Sequence, residues 1–432
     1  MTTPIDRRRM RRFEQQFEAV RAAFLDDRDG PGIEVACHTD ADGFPDFYHQ
    51  DDAILVHDDH VEHARRRLRA EPDDRRQDRA GNGHTLVRLR EQRAAEAVRL
   101  MRDEGGPGAA RFNHILSVAS RGGGNLCPAD EPTVPADVTP TPRVGQGDGA
   151  GEGVRVRVID TGLVEDAATA HPWLAGVITG PDRAGRWDES TAYRGHGTFI
   201  AGVVRCMAPQ AEVVVKGVFT RAGATWETDL VRKLDEALAE SPDIISLSAG
   251  TRSRQDVSTL GLDVFVEERL SRLKGVVLVA AAGNDGDRGP FFPAAMPEVV
   301  SVGALAANRR ARASFSNHGG WVDVYAPGEH LVNAYLTGNF TCEEPPNTGQ
   351  VRTFAGMCRW SGTSFSTPLV SGLIAARMSV TGENGRQAAD ALLRYARRHA
   401  IPGVGAVLLP GDACASVHRR KPRGCLFGLA GL

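Results

Sequence analysis

The sequence predicts an α/β protein: a doubly wound, mostly parallel sheet with helices on both faces, preceded by a small α+β domain. Two observations carry this. Between 153 and 400, short apolar runs alternate with amphipathic stretches, as in parallel strands buried on both faces and joined through helices. Ahead of them, three strand-like runs and two helical stretches follow one another between 53 and 118, the pattern of a split βαβ unit. A Gly/Pro-rich stretch with almost no apolar periodicity, 121–152, reads as the linker between the two.

Each element follows from local patterning. Met10, Phe13, Phe17, Val20 and Phe24 recur at helical spacing, so the chain opens on an amphipathic helix packed against the rest of the protein. The charged and Gly/Pro-rich run 26–32 ends it, and the remainder of 1–50 is irregular. In the small domain, 51–120, strands are expected at 53–56, 85–89 and 113–118 and helices at 60–70 and 94–102. Ala94, Ala97, Val98 and Met101 share one face of the second helix. In the large domain, strands at 154–159, 212–218, 243–247, 276–281 and 299–302 alternate with helices at 228–240, 257–273, 365–380 and 387–399. The tail 401–432, basic and Gly/Pro-rich, is expected to pack irregularly.

Composition narrows the function classes. The 432 residues are 41% hydrophobic and 25% charged, which excludes collagen-like, coiled-coil and wholly disordered chains. A net charge of −3 gives no general pull towards nucleic acid or an anionic membrane. The longest apolar run, 276–282, is far short of the ~20 residues of a membrane span. Glu14, Gln15, Gln16 and Glu18 stand where a leader peptide needs its apolar centre, so a cytoplasmic location is expected, with leaderless export the other route. The seven cysteines include no C-x-x-C pair, and no metal site is expected from them. Cys342 with Cys358, and Cys414 with Cys425, could bridge in an oxidising compartment, whereas free thiols are expected in a reducing one.

Three stretches carry chemistry. Asp160 ends an apolar strand and is followed by Thr161-Gly162, at the carboxyl edge where α/β sheets build their sites. His196 stands between Gly195 and Gly197 at the start of a helix, so its neighbours leave the imidazole uncovered for proton transfer. Ser364 lies in Gly362-Thr363-Ser364 at the head of an apolar helix, where unpaired N–H groups favour an anion. Taken singly, these residues suit a turn, a structural histidine and an N-cap equally well.

Together, D-T-G, H-G-T and G-T-S-x-x-x-P in that order resemble the subtilase family of serine peptidases. Ala281-Ala282-Gly283-Asn284 is similar to the segment carrying that family's oxyanion asparagine, and 245–250 to its substrate-pairing strand. The resemblance spans about 152–400 and implies a serine endopeptidase with Asp160, His196 and Ser364 as catalytic triad and Asn284 at the oxyanion. Ser248, Ala249, Gly250, Ala282 and Gly283 would line a small apolar primary pocket, partly filled by Phe291. Phe365 and Leu369 replace a common methionine and a common histidine without removing a catalytic group.

The resemblance also implies a protein or peptide substrate, no required cofactor, and calcium as a structural ion whose ligands the sequence does not assign. The small N-terminal domain is similar to a prodomain, an intramolecular inhibitor whose removal would cut the chain within 119–152; a permanent accessory domain is the alternative. Two other functions stay open: a catalytically silent binding module on the same fold, and a dedicated processing peptidase for one partner.

Overall fold

The computed structural model describes residues 4–25, 34–39, 45–69, 71–72, 83–90, 92–118, 128–145, 149–180, 191–253 and 257–414. The side chains of Met10 and Phe13, and the Cys414–Cys425 pairing, lie outside the described residues. The chain opens on helix α1 (Pro4–Leu25), followed by β1 (Val35–Thr39), β2 (Pro45–His57), α2 (Val61–Leu68), β3 (Glu71–Pro72), β4 (His84–Arg88), α3 (Ala94–Gly105) and β5 (Ala110–Val118). Val20 and Phe24 of α1 pack against Ile115 and Trp226, with the Phe24 and Trp226 rings 4.4 Å apart.

The long strand β2 is the hub of the small domain and pairs antiparallel with β1, β4 and β5. Alternation sorts its side chains. Ile54 and Val56 face Ala64, Leu68, Ala97, Val98 and Met101 of the domain's own helices. Ala53 and Leu55 face the other way, onto Leu260 and Val264 of the large domain. The strand begins at Pro45, eight positions before the apolar run that announces it. Its first half is polar yet buried: the Gln50 carboxamide donates to Asp52 and accepts from Asn113 across the sheet, so the pattern of apolar residues does not reveal it.

The large domain contains β6 (Arg155–Asp160), α4 (Ala167–Ala170), β7 (Ile178–Thr179), α5 (His196–Met207), β8 (Glu212–Gly217), β9 (Ala224–Trp226), α6 (Glu227–Ala239), β10 (Ile244–Leu247), β11 (Ala249–Gly250) and α7 (Leu260–Glu268). It continues with β12 (Val277–Ala281), β13 (Val299–Leu305), β14 (Val324–Pro327), β15 (Leu331–Thr341), β16 (Val351–Trp360), α8 (Thr363–Thr381) and α9 (Gly385–Arg398). Seven strands pair in the order β14-β13-β12-β10-β6-β8-β7, and every pair is parallel. Val156 and Val158 of β6 enter a core shared with α5, α8 and α9, while Ile159 enters a second core with α6 and α7. Helices therefore cover both faces, as expected of a doubly wound sheet. Strand order reverses around β6, which puts the end of β6 at the switch point.

Four expectations change. Within 1–50, expected to be irregular beyond its helix, residues 35–39 form β1 and residues 45–50 begin β2, paired antiparallel. Helix 257–273 is shorter, Leu260–Glu268 followed by a 3-10 turn. Cys342 and Cys358 lie on the antiparallel hairpin β15–β16, but Cys358 faces Asn333 while Cys342 follows the Thr341–Val351 pair at the far end. That separates them by about 30 Å of strand, and both are free thiols. Residues 128–145, expected within a linker, are bound along the large domain: Thr133 exchanges two backbone hydrogen bonds with Arg359, and Gly145 N donates to Cys206 O.

Candidate active site

Asp160 and His196 meet. The β6 strand delivers Asp160 to the sheet edge, and α5 begins at His196 after Gly195, which sits at φ 78 where only glycine is unstrained. His196 Nδ1 lies 2.8 Å from Asp160 Oδ1, and both side chains are wholly buried. A carboxylate can only accept, so the proton sits on Nδ1 and Nε2 is left as the basic nitrogen. Gly197 allows the approach, because a Cβ there would collide with the Gly162 carbonyl. The second Asp160 bond, 2.8 Å from Thr161 N, holds the carboxylate in plane with its own turn.

Ser364 stands at the second residue of α8, directly after Gly362-Thr363. Phe365 brings it alongside His196, its ring centroid 5.3 Å from the imidazole. Ser364 Oγ and His196 Nε2 are both buried, and neither has a hydrogen-bond partner among the described residues. Pro368 explains one further contact. It has no N–H, so the carbonyl four residues earlier, Ser364 O, loses its helical donor. Ser248 Oγ supplies a replacement at 2.8 Å.

Asn284 follows β12. Its carboxamide oxygen accepts from both Thr363 N and Thr363 Oγ1 at 2.9 Å, which turns the NH2 end towards Gly362. The remaining sequence-derived positions form two walls. Ser248, Ala249 and Gly250 make one, Ala282 and Gly283 the other, and the Phe291 ring packs against both Gly250 and Gly283. A Cβ on Gly250 would come within 2.5 Å of that ring. Among the described residues no group of three or more His, Cys, Asp or Glu side chains is placed to hold a metal ion.

The small domain's last strand pairs with two short strands of the large domain. Strand β5 lies antiparallel between β11 and β9, pairing Val118 with Ala249, Ser117 with Gly250, and Ile115 with Trp226. Its carboxyl end thus points at Ser364. Pro128 lies against Gly362, and Ala129 N donates to Ser361 O at 3.3 Å.

Several functional neighbours escaped the sequence reading. Trp360, wholly buried, stands edge-on to His196 with ring centroids 5.5 Å apart. Its place immediately before Ser361-Gly362-Thr363-Ser364 was the available signal. Glu227, wholly buried at the start of α6, accepts from Gly261 N at 2.5 Å and from His114 Nδ1 at 3.2 Å. Burial pushes this carboxyl up, and His114, Thr259 and His84 outweigh it, holding it below its usual range. Asp130 accepts from Ser361 N at 2.9 Å and Ser361 Oγ at 2.7 Å, and burial raises it to about 6 despite those bonds.

The chain is similar to known proteins over its large domain. The model of the subtilase family matches residues 151–404. A thermophilic serine proteinase of Bacillus sp. (strain AK1) is 33% identical over 264 residues, covering 59% of this chain and 58% of that protein. Thermitase of Thermoactinomyces vulgaris is 31% identical over 239 residues, covering 52% of this chain and 74% of that protein. The solved structure of the prenylagaramide maturation protease PagA is 28% identical with a TM-score of 0.45, covering 58% of this chain and 85% of that one. The chain thus spans less than two thirds of the length of the first of these relatives.

Proposed function

The chain belongs to the subtilase family, and on that premise we propose that it is a serine endopeptidase acting through Asp160, His196 and Ser364. The bond between His196 Nδ1 and Asp160 Oδ1 is the observation that carries the reading, because it engages Nδ1 and directs Nε2 away from the carboxylate as the nitrogen that can take a proton in the neutral imidazole. Ser364 Oγ attacks the peptide carbonyl, His196 Nε2 takes its proton, and an acyl-enzyme forms as the amine leaves with that proton. Water then repeats the sequence. Ser364 Oγ and His196 Nε2, which make no hydrogen bond in the structure, come into hydrogen-bond reach once a substrate is bound, as catalytic groups commonly do. The Asn284 NH2 and the Ser364 N–H hold the oxyanion.

The substrate is an extended peptide that adds a strand beside β11, and Phe291 between two walls of small residues restricts the pocket to small or medium apolar side chains. The small N-terminal domain is the intramolecular inhibitor, supported by the position of β5 on β11. The free thiols of Cys37, Cys206, Cys342 and Cys358 support a reducing compartment. A silent binding module needs none of the four polar groups gathered at the site, and a dedicated processing peptidase would share the same chemistry.

Fluorophosphonate labelling of the matured protein tests the reading, with Ser364→Ala as control. Labelling confined to the chain with Ser364 is expected; none in folded, matured protein returns the fold to the binding class.

A further inference from the structure

We infer that residues 128–133 form a second plug, seated on the leaving-group side of the cleft and separate from the N-terminal domain. The inference rests on the peptidase reading above. A peptide lying over Ser364 in the direction of β5 enters along Ala249–Gly250 and departs along Ser361 and Arg359. Residues 128–133 occupy that exit. They run antiparallel to 359–361, and they use the main-chain atoms a departing peptide would use: Ala129 N on Ser361 O, and the paired bonds of Thr133 with Arg359 at 2.9 and 2.8 Å.

The seat is built for this segment. Asp130 takes both the N–H and the hydroxyl of Ser361, and Trp360 Nε1 donates to Asp130 O at 2.8 Å. Glu131, 5% exposed, accepts from Glu343 N and Glu344 N on the hairpin, and Arg352 donates to Pro132 O. None of these contacts involves the N-terminal domain, so cutting the chain upstream of Pro128 and losing that domain leaves the plug in place. A substrate with residues beyond the cut bond must displace it; one with only a small leaving group need not. The affinity of the first kind is scaled by the fraction of molecules in which the plug is open.

The test uses the matured enzyme, its N-terminus read by intact mass, and two substrates with the same acyl side. One is an internally quenched peptide extending several residues past the cut, the other a small fluorogenic amide. Asp130→Ala removes both acceptors on Ser361. Thr133→Pro removes the backbone and hydroxyl donors to Arg359 O and the hydroxyl that accepts from Arg359 Nε, at a partly exposed position, and leaves Ser361 untouched. Losing one such bond is worth roughly a factor of five in plug closure. Each variant is expected to raise kcat/KM for the long peptide about fivefold or more and to leave the small amide within about twofold. Equal changes on both substrates, or a fall on both, would overturn the plug and make the segment part of the scaffold around Ser364. If neither substrate is cut and Ser364 takes no fluorophosphonate, the peptidase reading itself fails and the plug with it.

Discussion

Replacing Ser248 by alanine tests how the nucleophile is held. Ser364 O is buried and four residues before Pro368, so no backbone N–H of α8 can serve it. Ser248 Oγ, 1% exposed, serves it from 2.8 Å. Water has no route to take its place. A buried acceptor left without a donor costs about 1–3 kcal/mol. The helix can relieve that cost only by moving its first turn, which carries Ser364 Oγ away from His196. If half of a 3 kcal/mol penalty is expressed in the transition state, kcat falls roughly tenfold. KM stays near its original value, since the main chain of Ala249–Gly250 that receives the substrate is unchanged. The assay is steady-state kinetics on the small amide, with Ser248→Ala beside the double variant Ser248→Ala/Pro368→Ala. Alanine at 368 restores an N–H four residues after Ser364, so the double variant should recover most of the lost kcat. A double variant no better than Ser248→Ala, or a single variant with unaltered kcat, would refute the reasoning.

Other outcomes follow from the same geometry. Asp160→Asn cannot enforce the Nδ1–H tautomer, and kcat should fall about 10⁴-fold with circular dichroism unchanged. Asn284→Ala removes one oxyanion donor; a loss of kcat of about 10²–10³ is expected by analogy with subtilisin, and a loss under threefold would remove Asn284 from that role. His114→Ala leaves the Glu227 carboxylate buried without its basic partner, which should loosen the docked N-terminal domain by about 3–5 kcal/mol in a Ser364→Ala background. Denaturant titration reads this, and adding Glu227→Gln should recover part of it. Because the Glu227 carboxyl is held below 4.5, its contribution to docking is complete above that value and lost as pH drops below it. Asp130 runs the other way. Burial raises it from 3.8 to about 6 against the opposing pull of Ser361, His330 and Arg359, with the Cys358 thiol also near, so the closed plug holds a proton that the open one releases. Plug closure therefore weakens as pH climbs from about 4 to 6 and is level above. The ratio of long-peptide to small-amide kcat/KM, in which the shared catalytic titration cancels, should rise across that window and then flatten.

What the amino-acid order disclosed follows how local the governing physics is. The strands β10, β12 and β13 are mostly apolar on both faces because helices cover both, and that pattern stands out in any window of the chain. Asp160, His196 and Asn284 were legible because each needs a glycine close by for a turn or a close approach, and that glycine lies within two positions in sequence. The polar half of β2 was not legible, since the buried Gln50 oxygen is satisfied across the sheet by Asn113, which lies 63 positions away. Short strands such as β9 and β11 are strands chiefly because β5 lies between them. The segment 128–133 is the strongest case. Proline, alanine and two acids read as a solvated connection, and they would be one if Ser361 and the hairpin amides were absent. Its binding partners lie more than 200 positions ahead, as in the Asp130–Ser361 bond with a separation of 231. A buried carboxylate that far from its donors leaves no periodicity to detect. Residues that control access to this cleft are therefore to be sought among polar positions that local patterning assigns to linkers, whereas the residues that perform its chemistry lie beside glycines in the strands and helix starts.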